Sequence, residues 1–236
     1  MVNSEEPAAK RRSITGQLVV MGHRLGVRPT PHGADGRSLR WVGPTRPSML
    51  PLFGIDVPAR LGSTLRQDDW APTYAADAKP VVEACAAAQP AVSRDWNQSP
   101  MRSWVDEEIM ASHLELAAAG RIQAIACRRG GRLVAGLFGV SQGAVFFGEG
   151  LFARVADAGE VVLAELLGRL RAGGFRFIDL HFLGGHDITV VTVGNVRGRY
   201  RAPETALDAE AEFPTGSQPY WPQVMNDAAA PASRVA

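Results

Sequence analysis

Cysteine, excess charge and long apolar runs are all scarce in this 236-residue chain. Its two cysteines, Cys85 and Cys127, have no metal or redox spacing, which excludes a cysteine-built motif and suggests reduced thiols in the cytosol. A net charge of +1 excludes a globally basic nucleic-acid binder, so any RNA contact has to come from local patches. No run reaches the 18 or so apolar residues that a membrane span needs, and no secretory signal follows the polar N-terminus. No internal repeat is present. What remains, 46% hydrophobic and 21% charged residues, is the composition of an ordinary globular protein with a sizeable core.

The charged segment 1–13, with its Lys10-Arg11-Arg12 triplet, is read as a solvated tail, and 216–236 as a small-residue C-terminal tail. Residues 14–100 alternate short apolar runs with many prolines and glycines. A loop-rich α/β region is expected there, with one helix near Pro80 to Ala88. The pattern becomes regular in 101–215. A helix is expected over Val105 to Ala119, then strands over 122–128, 132–140 and 144–149 joined by tight glycine turns. Asp157 and Glu160 mark a second helix start, Leu163, Leu166, Leu167 and Leu170 give that helix an apolar face, and 175–180 reads as a buried strand. The expected class is α+β, a mostly antiparallel sheet flanked by helices, in the order found in GNAT-type acyltransferases.

Four blocks carry a family resemblance. Trp41 to Leu52, WVGPTRPSMLPL, is similar to a WWSPDPRAVLPL segment. VVEACA from Val81, followed by Ser103-Trp104-Val105, is similar to a helix ending in CA and then TWI. Gly131 to Phe152 is close to LVGGLYGVxxGxxFxGESMF. Ile178-Asp179-Leu180-His181, with His186 and later Arg197 and Tyr200, is similar to IDxQxxxxH and IPRxxY. In this order they resemble the leucyl/phenylalanyl-tRNA–protein transferases. That family moves Leu or Phe from aminoacyl-tRNA onto the N-terminal Arg or Lys of a protein. The resemblance implies no metal and no cofactor, because the ester is activated beforehand.

The departures are polar. The serine of GES is Gly150, and the serine after MF is Ala153. ASK becomes Ala158-Gly159-Glu160, AHSxE becomes Ile122 to Ala126, and AYxxLH becomes Ser112 to Ala117. The glutamine of IDxQ is His181, and no GGDL segment is recognisable. These changes leave open a relative that aminoacylates a small-molecule amine, or one that binds tRNA without catalysis. An acyl-CoA-dependent acetyltransferase would need a Gly-rich pyrophosphate loop, which Asp157-Ala-Gly-Glu160 does not supply.

By the resemblance, Asp179 takes part in a proton relay, and His181, two residues on, becomes a candidate general base oriented by it. Glu149 is implied to recognise the acceptor's basic residue, as charge-assisted bonds would favour. Trp41 and Trp104 are implied to hold the terminal adenosine and the aminoacyl side chain, and His186, in the motif of Asp179, is a further substrate-binding candidate. Phe138, Phe147 and Phe152 could line an apolar pocket or simply fill the core. Arg128, Arg129 and Arg132, and Arg197, Arg199 and Arg201, are candidates for acceptor-stem phosphates or ordinary solvated charge. His181, His186 and Asp187 have weak metal-ligand spacing, and no metal is expected. Expected partners are aminoacyl-tRNA and an acceptor protein N-terminus or small amine; nothing in the sequence fixes an oligomeric state.

Overall fold

The computed structural model describes residues 14–32, 38–43, 49–52, 55–56, 59–66, 69–88, 107–180, 192–193, 204–216 and 218–221. In chain order the elements are α1 (Gly16–Leu25), β1 (Arg28–His32), β2 (Ser38–Val42), β3 (Met49–Pro51), β4 (Ile55–Asp56), α2 (Ala59–Leu65), β5 (Ala71–Tyr74) and α3 (Lys79–Ala87). After them come α4 (Glu107–Ala118), β6 (Ile122–Arg129), β7 (Arg132–Gln142), β8 (Val145–Ala153), α5 (Ala158–Ala172), β9 (Phe177–Asp179), β10 (Thr192–Val193) and α6 (Glu204–Leu207).

The fold is α+β. Its main sheet has six strands in the order β3-β9-β8-β7-β6-β5. Every pair is antiparallel except β8 with β9, which run parallel because α5 carries the chain back between them. The expected helix–meander–helix–strand order is present. Gly130, Gly131 and Gly143 take positive φ (56°, 77° and 55°) at the two meander turns, where a side chain would be strained. Asp157 stands at the N-cap of α5 as expected, but with φ of 64° and no side-chain cap hydrogen bond.

Strands from both sides of residue 101 share this sheet: β3 and β5 form its two edges. The loop-rich N-terminal region also contains α1 and α2, which the sequence reading did not anticipate. Short helices there are obscured by the density of proline and glycine, and their stability comes from packing more than from propensity.

Side chains of the meander alternate between two cores. Ile125, Cys127, Ala135, Leu137 and Phe146 face α5, while Ala124, Ala126, Phe138, Val140 and Phe152 face α1, α3 and α4. The segment after α6 straps over α5. A buried Glu165–Arg169 pair holds it: Arg169 donates to the carbonyls of Pro214 (2.7 Å) and Gln218 (2.8 Å), and Glu165 accepts from the backbone of Tyr220 (2.7 Å) and Trp221 (3.1 Å). The tail boundary expected at 216 therefore falls within a segment bonded to α5. Among the described residues no helix is long and apolar enough to cross a membrane.

Candidate active site

Five charged or titratable side chains from five elements converge at the β8–β9 end of the sheet. Two come from the α1–β1 corner. Thr15 caps the start of α1 by accepting from the Leu18 amide, and Gly26 ends it at φ 72°, where its N–H reaches the Gly22 and His23 carbonyls. This glycine-capped end turns the chain sharply, so that His23 and Arg28, five residues apart, both face inward. Both are buried. The His23 ring lies flat on Phe147, with centroids 4.7 Å apart.

α4 supplies His113, buried one turn after Ile109 with its ring edge-on to Phe138. β8 supplies Glu149. In the β7–β8 ladder Phe138 pairs with Gly150 and Gly139 with Gly148, so Glu149 is the extra residue of a β-bulge. Bulges re-aim a side chain, and this one places the Glu149 carboxylate in the interior at 2% exposure. β9 supplies Asp179, which pairs with Phe147 on one side and Met49 on the other.

Glu149 is held by the chain's own groups. His23 Nε2 lies 2.7 Å from Oε1. His113 Nε2 lies 3.3 Å from Oε2, and Arg28 Nε 3.7 Å from Oε1. The Arg28 Nη2 atom reaches Asp179 Oδ2 at 3.1 Å, so one guanidinium spans both carboxylates. His113 Nδ1 is 2.7 Å from the Ile109 carbonyl and must donate there. Its Nε2 then faces the Glu149 carboxyl.

The two carboxyls are pushed apart. Burial opposes charge on Glu149, but adjacent His23 and Arg28 and the His113 hydrogen bond hold it well below the usual carboxylate range. Asp179 moves the other way: burial raises it, Arg28 pulls it partly back, and Glu149 pushes it up. Among the described residues Asp179 Oδ1, His23 Nδ1 and Arg28 Nε are buried without a hydrogen-bond partner. The arrangement favours the ionised form of Glu149 and leaves Asp179, among the described residues, with an oxygen that can take a proton.

The model of the leucyl/phenylalanyl-tRNA protein transferase family matches residues 49–200. Proteins named leucyl/phenylalanyl-tRNA–protein transferase are similar along nearly their whole length. One from Rhodopseudomonas palustris strain TIE-1 is 34% identical over 214 residues, 90% of this chain and 91% of the relative. One from Cereibacter sphaeroides is 34% identical over 209 residues, covering 88% and 92%. A third, from Nitrobacter winogradskyi, is 32% identical over 201 residues, covering 85% and 86%. The chain belongs to this family.

Of the positions suggested by the family motifs, Asp179 and Glu149 come together in the cluster. Trp41 lies beside it, 40% exposed, with its ring over Gly22, where an added Cβ would collide with it. Phe147 underlies His23, whereas Phe138 and Phe152 are buried in the core facing α3 and α4. Arg128, Arg129 and Arg132 sit at the exposed β6–β7 turn, about five residues along β6 from the bulge, on the order of 17 Å at strand rise. There Arg129 pairs with Asp69 and lies over Trp70. His181, Trp104, His186, Arg197, Arg199 and Arg201 lie outside the described residues. So does Asp187; among the described residues no group of His, Cys, Asp or Glu is arranged to hold a metal.

Two family departures have structural accounts. Gln123 accepts from the backbone amide (3.1 Å) and hydroxyl (2.8 Å) of Ser141 on the next strand. Gly150 leaves room for Phe138, since a Cβ there would lie 2.6 Å from that ring and 3.1 Å from the Cys85 Cβ.

The sequence reading missed His23, Arg28 and His113. No local motif marks His23 or Arg28, while His113 stands at the tyrosine position of the AYxxLH motif; the chain has only five histidines, and His113 follows Ile109 by one turn on an otherwise apolar helix face. Enumerating histidines on buried faces would have found it.

Proposed function

We propose that this chain transfers an aminoacyl group from aminoacyl-tRNA to the α-amine of an acceptor protein beginning with Arg or Lys, with Asp179 as the proton acceptor. The amine nitrogen attacks the ester carbonyl and a C–N bond forms. The C–O bond to the terminal ribose breaks, and the amine proton passes through Asp179 to the departing ribose oxygen. Such aminolysis needs positioning and a base rather than an energy source. The observation that carries this reading is the buried Asp179 Oδ1, without a hydrogen-bond partner among the described residues, next to a Glu149 whose ionised form is favoured. A carboxyl raised above its ordinary range is a better base near neutrality than an exposed one.

His181, two residues further along the chain, is included as the group that relays this proton. Glu149 contributes the negative charge that suits a basic first residue, although a direct pair with it would require His23 to move aside. The three arginines of the β6–β7 turn are assigned to acceptor-stem phosphates, and Trp41 to stacking beside the cluster. Dependence on charged tRNA puts the reaction in the cytoplasm. The deciding experiment incubates the protein with a mixture of charged tRNAs and peptides beginning with Arg, Lys or Ala, and reads products by mass spectrometry. Leu or Phe added to the Arg and Lys peptides is expected; no adduct on any peptide defeats the proposal.

A further inference from the structure

We infer that Arg28 is a positioning residue of this site: its guanidinium grips Asp179 through Oδ2, leaves Oδ1 turned to the reacting amine, and sets how readily that carboxylate exchanges a proton. The Asp179 role rests on the functional reading above, whereas the Arg28 contact does not. Arg28 precedes the residues matched by the family model and belongs to none of the motif blocks.

Geometry carries the inference. Two carboxylates from adjacent parallel strands, both nearly excluded from water, would repel each other at close range. Arg28 is the cation that touches both: Nη2 contacts Asp179 at 3.1 Å, and Nε lies 3.7 Å from Glu149. His23 on α1 and His113 on α4 lie against Glu149, at 2.7 and 3.3 Å. Each charged neighbour of Asp179 thus has a defined sign: Glu149 on β8 raises its proton affinity, and Arg28 on β1 and His23 on α1 lower it. Arg28 is itself fixed by the glycine-capped turn two residues before it, so the guanidinium is aimed before substrate arrives.

The test follows the Asp179 carboxyl in the full-length protein by 13C NMR across pH, alongside single-turnover transfer rates. In Arg28→Gln the Asp179 titration should move up by on the order of 1–2 pH units, the effect of removing a charge within a few ångströms. The acid limb of the rate profile should move with it. Arg28→Lys, which keeps the charge, should stay within about half that shift. Glu149→Gln should move the titration the other way, down. A folded Arg28→Gln protein with an unchanged Asp179 titration overturns the inference. Should Arg28→Gln not fold, Arg28→Met, which keeps the volume without the charge, is titrated instead: a shift upward supports the inference and an unchanged Asp179 titration overturns it. If wild type transfers nothing from any charged tRNA, the functional reading fails, and the NMR titration still decides the role of Arg28.

Discussion

Two buried carboxylate–guanidinium clusters in this protein have opposite designs. In the Glu165–Arg169 strap, on α5, each of the three guanidinium nitrogens and both carboxylate oxygens has a partner, and the pair fastens the segment around Tyr220 and Trp221 to the helix. In the Glu149–Arg28–Asp179 cluster, buried atoms on three of the participating residues lack hydrogen-bond partners among the described residues. A fully satisfied buried pair specifies a structure. An under-satisfied one retains unmet hydrogen-bonding capacity, which a substrate can use. The difference separates the cluster that holds the fold from the one proposed to do chemistry.

The comparison can be broken most forcefully at Asp179. Asp179→Asn should lower the single-turnover rate by roughly 10²–10⁴, the usual contribution of a general base, while leaving the urea midpoint near wild type. A variant that loses stability but not rate would reverse the assignment. Arg169→Met attacks the other cluster. It strands Glu165 and should cost about 3–5 kcal/mol in urea unfolding, with no change in the shape of the pH–rate profile of the remaining folded enzyme. Gly168→Ala probes the same strap more gently. A Cβ there would collide with the Tyr220 carbonyl, so a loss of about 1–3 kcal/mol is expected, with protease sensitivity appearing first near residues 214–221.

A sharper comparison uses pH. The Glu149 carboxyl is depressed in the folded protein, so the stability it contributes is present above its ordinary value of about 4.3 and is lost as pH falls through the depressed value. Glu165 is raised, because burial outweighs Arg169 and the two amides, so its ionisation erodes stability as pH rises from the ordinary value through the raised one. Urea midpoints from pH 3 to 7 should therefore lose acid-side steepness in Glu149→Gln and gain it in Glu165→Gln. Identical profiles for the two variants would erase the distinction. The smallest effect belongs to Arg128→Ala with Arg132→Ala. Stability should change by less than about 0.5 kcal/mol, and the salt dependence of charged-tRNA binding should weaken by roughly one to two counterions.

Much of the fold was legible because local signals and tertiary demands agree along 107–180. The Glu/Ala/Leu run of α4, the glycines of the meander turns and the leucines of α5 each specify an element without outside help. The N-terminal strands were harder. β3 and β5 are three and four residues long and exist through pairing with β9 and β6, which no local pattern announces. In the site, Glu149 and Asp179 were visible through the family motifs that contain them, and Asp179 also because it ends an apolar strand, where a carboxylate is costly to bury; Glu149, expected at a strand end, lies inside β8 at its bulge. Arg28 was invisible, since an arginine after a glycine turn usually points to water, and only the assembled sheet shows where this one goes.

The order in which the site's parts occur along the chain has a consequence during synthesis. His23 and Arg28 are made near the beginning, while Asp179 comes more than 150 residues later, after α5 has brought the chain back beside β8. On the role proposed for Asp179, a copy still on the ribosome and cut off before that point would carry His23, Arg28 and Glu149 but no group to relieve an attacking amine of its proton. Unfinished chains, made among abundant charged tRNA, would then be unable to use it.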